Sequence, residues 1–230
     1  MTETAPAPKS PLPRKRAALF DMDRTLIRRE TVSLYVRYQR EIGEASLLDL
    51  VKTLYWVAQY TLGLLDAERV VDRILQSLRG TSEAALTARC NAWFASHVEQ
   101  HISDEGRQAV RRHQEAGDVC AIVTAATSYT TWPLAHRLNI PHVVATVLEV
   151  DPAGHFTGRP VRPLCYGEGK VERARALAEA HGFRLEEATF YSDSISDLPL
   201  LSLVAEPVAV NPDPRLRRIA QRRGWPIVRW

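Results

Sequence analysis

A chain of 230 residues with 45% apolar and 25% charged side chains has an ordinary globular composition, long enough for one large domain or for a core carrying an insertion. The net charge of +3 is the excess of the first sixteen residues, where Lys9, Arg14, Lys15 and Arg16 face only Glu3. The remainder is neutral on balance and offers no basic face for nucleic acid. Three widely spaced cysteines, Cys90, Cys120 and Cys165, exclude a disulfide framework or a zinc site and fit a reducing, cytoplasmic setting.

In chain order, residues 1–16, "MTETAPAPKSPLPRKR", are rich in Pro and Ala without periodicity and are expected to form a disordered basic tail. They do not read as a secretory leader, because only "AALF" follows the basic run before an aspartate. A first buried strand is predicted at 17–21, "AALFD". Residues 30–103 then read as helix throughout, from "TVSLYVRYQREIG" through a second run starting at Ser46 to "SEAALTARCNAWFASHVEQHI". This insertion is expected to form a helical cap over the carboxyl edge of a sheet. Its apolar stretch 54–65, "LYWVAQYTLGLL", is too short to span a bilayer, so no stable membrane insertion is expected.

Further strands are predicted at 119–124 ("VCAIVT"), 188–193 ("ATFYSD") and 207–211 ("PVAVN"), and helices at about 104–116, 128–138, 169–181, 195–204 and 213–224. Gly117, Gly182 and Gly224 stand where C-terminal caps belong. Strand and helix in alternation predict an α/β fold, a doubly wound parallel sheet with a Rossmann-like core at 17–29 and 104–230. Ligands of such sheets bind at the carboxyl ends of the strands. Asp21, Thr124 and Asp193 each lie at one.

The pair Asp21 and Asp23 needs a reason, because two carboxylates at the end of a buried strand repel each other unless a cation or a reaction offsets them. Four pieces in order, "DMDRT", "IVTAAT", "GEGK" and "YSDSISD", resemble the motifs of the haloacid dehalogenase superfamily of phosphohydrolases over roughly residues 17–211. The resemblance implies Asp21 as nucleophile through an aspartyl-phosphate, and Asp23 as general acid and then base. It implies Mg²⁺ held by Asp21, the Asp23 backbone carbonyl and Asp193, with Asp197 as a ligand or a support of that shell. Thr124 would contact a phosphoryl oxygen, a role Thr127 or Ser128 could share, and Lys170 would neutralise charge beside Asp21. Thr25 and Ala125, inside the first and second motifs, are assigned to substrate binding. Arg24 departs from the Gly or Ser common after the second aspartate, and the sequence leaves its direction open.

The helical insertion and "TLIRRETVSLY" resemble the phosphoserine phosphatase branch. There a glutamate nine residues after the nucleophile contacts the substrate amine, a spacing that Glu30 matches, and a cap arginine binds the carboxylate, here Arg73 or Arg69. The expected partner is therefore a small soluble phosphate ester, phosphoserine-like or related. Histidinol phosphate and other small phosphomonoesters stay open. Two rivals stay open as well. The apolar cap residues Leu54, Tyr55, Trp56, Tyr60, Leu62, Leu64 and Leu65 suit a lipid phosphate such as phosphatidylglycerophosphate, and the fold could persist as a non-catalytic phospho-ligand-binding module. Asp21, Asp23, Lys170 and Asp193 are all present, which argues for an enzyme.

Overall fold

The computed structural model describes residues 15–44 and 75–230. Arg69, Arg73 and the apolar cap residues from Leu54 to Leu65 lie outside the described residues, as do residues 1–14 of the expected tail. Lys15 and Arg16, assigned to that tail by composition, are exposed and lead into β1: the Lys15 backbone bridges to Phe183 and Arg16 pairs at the surface with Glu206.

The sheet has seven strands in the order β4-β3-β2-β1-β5-β6-β7. They are β1 (Ala17–Phe20), β2 (Val119–Thr127), β3 (His142–Val150), β4 (Phe156–Val161), β5 (Thr189–Ser192), β6 (Glu206–Val210) and β7 (Ile227–Val228). All neighbours pair in parallel except β3 with β4. β1 is central and wholly buried because "AALF" carries no polar side chain and helices cover both of its faces. One face packs Leu19 with Ala174, Phe190 and Leu201, and the other packs Phe20 with Ile122, Leu134 and Val110.

Among the described residues the helices are α1 (Thr31–Glu41), α2 (Glu83–Trp93), α3 (Asp104–Glu115), α4 (Ser128–Arg137), α5 (Glu168–His181), α6 (Leu198–Leu201) and α7 (Pro214–Arg223). Left-handed Gly182 and Gly224 end α5 and α7 as their positions in the sequence foretold. The helix expected over 195–204 is shorter, a 3₁₀ turn at Ile195–Asp197 leading into α6. Pro199 accounts for the late start of the α-helix, since a proline fits the first turn of a helix and not its interior.

The insertion leaves the core at Leu26–Arg28 and returns at His101–Ser103. The two linkers are zipped together: Ile27 bridges Ile102, Arg28 N–H donates to the His101 carbonyl at 2.9 Å, and Ser103 N–H donates to the Leu26 carbonyl at 2.9 Å. A second tie joins the insertion to the β3–β4 hairpin. Gly80 N–H donates to Phe156 O and Phe156 N–H to Thr81 O, while Tyr129 of α4 donates to Glu83 of α2 at 2.6 Å. Leu75, Leu86 and Cys90 bury against Leu148 and Phe156 beside this tie. Among the described residues no helix is long and apolar enough to cross a membrane.

Candidate active site

The register of the sheet sets the geometry of its carboxyl edge. Phe20 is level with Ile122 of β2 on one side and Tyr191 of β5 on the other. Thr124 and Asp193 therefore flank Asp21, each one residue beyond its level. The Asp21 N–H donates to the Tyr191 carbonyl at 2.8 Å, which continues the ladder to the last residue before the chain turns away. The β2–β3 register breaks between Val123 and Thr127, so Thr124–Ala126 bulges at the same edge. Thr124 is buried there and accepts from Ala126 N–H at 3.2 Å, whereas Ala125 is exposed and its carbonyl accepts from Thr146. Thr127 and Ser128 begin α4 next to this bulge.

Lys170 arrives from α5. A Cβ on Gly169 would lie 2.1 Å from the Leu164 carbonyl, so only glycine lets the start of α5 approach the chain this closely. The Lys170 side chain is 2% exposed, and its ammonium donates to Asp21 Oδ1 at 2.9 Å and to Asp197 Oδ2 at 2.8 Å. Burial opposes its charge, but Asp197 and Asp21 outweigh that and raise its pKa. Asp197 also accepts from Ser192 Oγ at 2.6 Å. Its carboxylate thus accepts from both Lys170 and Ser192.

Asp23 points to the start of α1, where Thr31 donates from its N–H at 2.9 Å and from Oγ1 at 3.1 Å. Burial, followed by the charge of Glu30, pushes the Asp23 carboxyl up to about 7. Asp21 is pushed up to about 7 by burial, which outweighs the opposing pull of Lys170. Asp193 is raised well above the usual carboxylate range by burial and then by Asp21. Glu30, one third exposed, is raised by burial against the lowering pull of Arg24. Arg24, whose direction the sequence left open, turns into the site: its Nε lies 3.4 Å from Asp193 and its guanidinium 3.9 Å from Glu30. Thr25 is fully buried, and its Oγ1 has no hydrogen-bond partner among the described residues.

The structure thus brings together Asp21, Asp23, Thr124, Lys170, Asp193, Asp197 and Glu30. Five carboxylates face two cations, and every donor atom on offer to a further cation is oxygen, the chemistry of a hard ion. Among the described residues no group of three or more His, Cys, Asp or Glu side chains is arranged as a metal cage. A cation here would rest on Asp21, Asp193 and backbone oxygen, with water completing its shell. That set fits Mg²⁺, which keeps several waters.

Two residues that sequence reasoning missed hold this edge in place. Ser192 aims Asp197. Asp213 caps α7 through Arg215 N–H at 2.7 Å and Leu216 N–H at 2.9 Å. Its second oxygen also accepts from Ile195 N–H at 2.6 Å, and its own N–H donates to the Asp193 carbonyl at 2.8 Å.

The sequence profile of haloacid dehalogenase-like hydrolases matches residues 18–202. The chain belongs to this family. It is 33% identical over 221 residues to a protein of Neisseria meningitidis named histidinol-phosphatase, an alignment that covers 93% of this chain and 98% of the other. It is 35% identical over 224 residues to a protein of Mycobacterium tuberculosis named phosphoserine phosphatase, covering 94% of this chain and 71% of that one. A crystal structure of a protein with unknown function from Bordetella pertussis superposes with a TM-score of 0.84 at 33% identity, covering 94% and 98% of the two chains. As a haloacid dehalogenase-like hydrolase with phosphatase relatives along nearly its whole length, the protein is a phosphatase. The four segments that carry the resemblance meet around Asp21, three at strand ends and one, with Lys170, at the start of α5.

Proposed function

We propose that the protein hydrolyses a small, amine-bearing phosphomonoester through a phosphoryl group carried on Asp21, with Mg²⁺ as cofactor. The observation that carries this reading is the buried ammonium of Lys170 between Asp21 and Asp197. An anionic nucleophile and an anionic ester repel each other, and a fixed cation beside the attacking oxygen offsets that repulsion without reorganising. Asp21 Oδ attacks phosphorus as the ester oxygen departs. Asp23, held by Thr31 and with its pKa near neutrality, protonates the leaving oxygen and then takes a proton from the water that cleaves the phosphoryl-aspartate. Thr124 and the backbone of the Thr124–Ala126 bulge receive phosphoryl oxygens, and Asp197 keeps Lys170 aimed at Asp21. Asp21, Asp193 and the Asp23 carbonyl would hold Mg²⁺, which supplies Lewis-acid neutralisation of the phosphoryl charge.

Glu30 supports the amine. It is a desolvated carboxylate at the rim of the site, and phosphoserine and histidinol phosphate, the substrates in the names of the two relatives, both carry an amino group. A screen of phosphoserine, histidinol phosphate, an aryl phosphate and micellar phosphatidylglycerophosphate, with and without chelator, tests the reading. Fast turnover of an amino ester that chelation abolishes is expected. Preference for the lipid phosphate, or full activity after chelation, would overturn it.

A further inference from the structure

Arg24 is the charged group of the site that the reaction does not use. It follows the second aspartate in a left-handed backbone conformation (φ 54°) that a non-glycine residue adopts at a cost. The turn is held in place from behind, where Asn211 Nδ2 donates to the Arg24 carbonyl at 3.0 Å and is itself tied to the backbone of Trp230. The backbone thus delivers a guanidinium into an edge where carboxylates outnumber cations. There its Nε is 3.4 Å from Asp193 Oδ2 while its other end is 3.9 Å from Glu30 Oε1. Those two carboxylates are the ones the proposed reaction assigns to incoming cations, the metal at Asp193 and the substrate amine at Glu30.

We infer that Arg24 is a resident counter-ion that stands in for these cations and competes with the divalent metal for Asp193. The inference rests on the metal reading above. In the metal-free protein the guanidinium relieves the repulsion between Asp193 and its neighbours. A metal that ligates Asp193 Oδ2 displaces it, and one on the other oxygen meets its repulsion, so Arg24 lowers the metal affinity and holds the empty site together. A shorter, uncharged polar side chain removes the competitor and leaves the carboxylates as they are.

The test is calorimetric titration of Mg²⁺ into chelator-stripped wild type, R24Q, R24N and R24K, with thermal unfolding of each before metal is added. Asparagine tolerates the left-handed backbone and provides a second uncharged variant should glutamine disturb the turn. R24Q and R24N are expected to bind Mg²⁺ roughly two- to fivefold more tightly than wild type, the upper range for losing a partly exposed ion pair. Their metal-free unfolding temperature should fall, and R24K should restore both properties toward wild type. Equal or weaker Mg²⁺ binding by R24Q and R24N, with saturable binding by wild type, would overturn the role of Arg24 alone. No saturable Mg²⁺ binding by wild type would overturn this inference together with the metal reading on which it rests.

Discussion

Replacing Lys170 by Met keeps most of the side-chain volume and removes the one ammonium between Asp21 and Asp197. The two carboxylates then face each other at a site where Lys170 and Asp197 are each 2% exposed. Breaking a buried ion pair on one side costs about 3–5 kcal/mol, because the remaining charge is left uncompensated. For a chain of this size that is a fall in unfolding temperature of about 6–20 °C. The loss has a pH signature. Without the ammonium, Asp21 loses the group that pulls its pKa down, and a group whose folded pKa is raised stabilises below its unfolded pKa and loses that contribution as pH rises through the folded one. Asp21 is already pushed up to about 7 with Lys170 present. The deficit of K170M relative to wild type should therefore be smallest near pH 4 and largest near pH 8. Denaturant unfolding of both proteins at the two pH values measures it. A K170M protein as stable as wild type at about pH 8 would refute the placement of Lys170 as the buried counter-ion.

The same sign argument applies to the metal-free wild type. Asp21 and Asp23 are both pushed up to about 7, so stability should decline as pH rises from about 4 through about 7, and Mg²⁺ should raise the unfolding temperature far more at about pH 8 than at about pH 5. An equal gain at both pH values would count against a metal on these carboxylates. Glu30→Ala should lower kcat/KM for an amino ester by at least about thirtyfold, since truncating one partner of a desolvated charge pair costs about 2–5 kcal/mol. An aryl phosphate without an amine should be turned over almost as before, and equal losses on both substrates would remove Glu30 from amine recognition.

The parts of the fold that the sequence made legible are those written in local pattern. β1, β2 and β5 are short apolar runs that stop at a polar residue, and the glycines that end α5 and α7 mark those boundaries directly. β3, β4 and β7 went unpredicted. β3 carries a signal that could have been used, the run "HVVATVLEV" of β-branched and aliphatic residues. β4 does not, because "FTGRPV" contains Gly and Pro and is tolerated only as an antiparallel edge strand. β7 has two residues, too few for any period.

At the site, the chemistry-bearing residues stood out because their types and order fit one reaction. Their supports did not stand out. Ser192 and the second oxygen of Asp213 act through contacts that exist only once β5, α6 and α7 are packed. The direction of Arg24 depends on a backbone angle and on Asn211, 187 residues away in sequence, neither of which a local pattern encodes.

The central claim is that the phosphoryl group passes through Asp21. Rapid-quench mass spectrometry of the protein mixed with Mg²⁺ and a good ester substrate tests this most directly. The expected result is one transient phosphoryl group, mapped to the peptide that contains Asp21, together with a D21N protein that keeps its fold but neither traps the group nor releases phosphate. Trapping of the group at another residue, or steady phosphate release by D21N, would contradict the account.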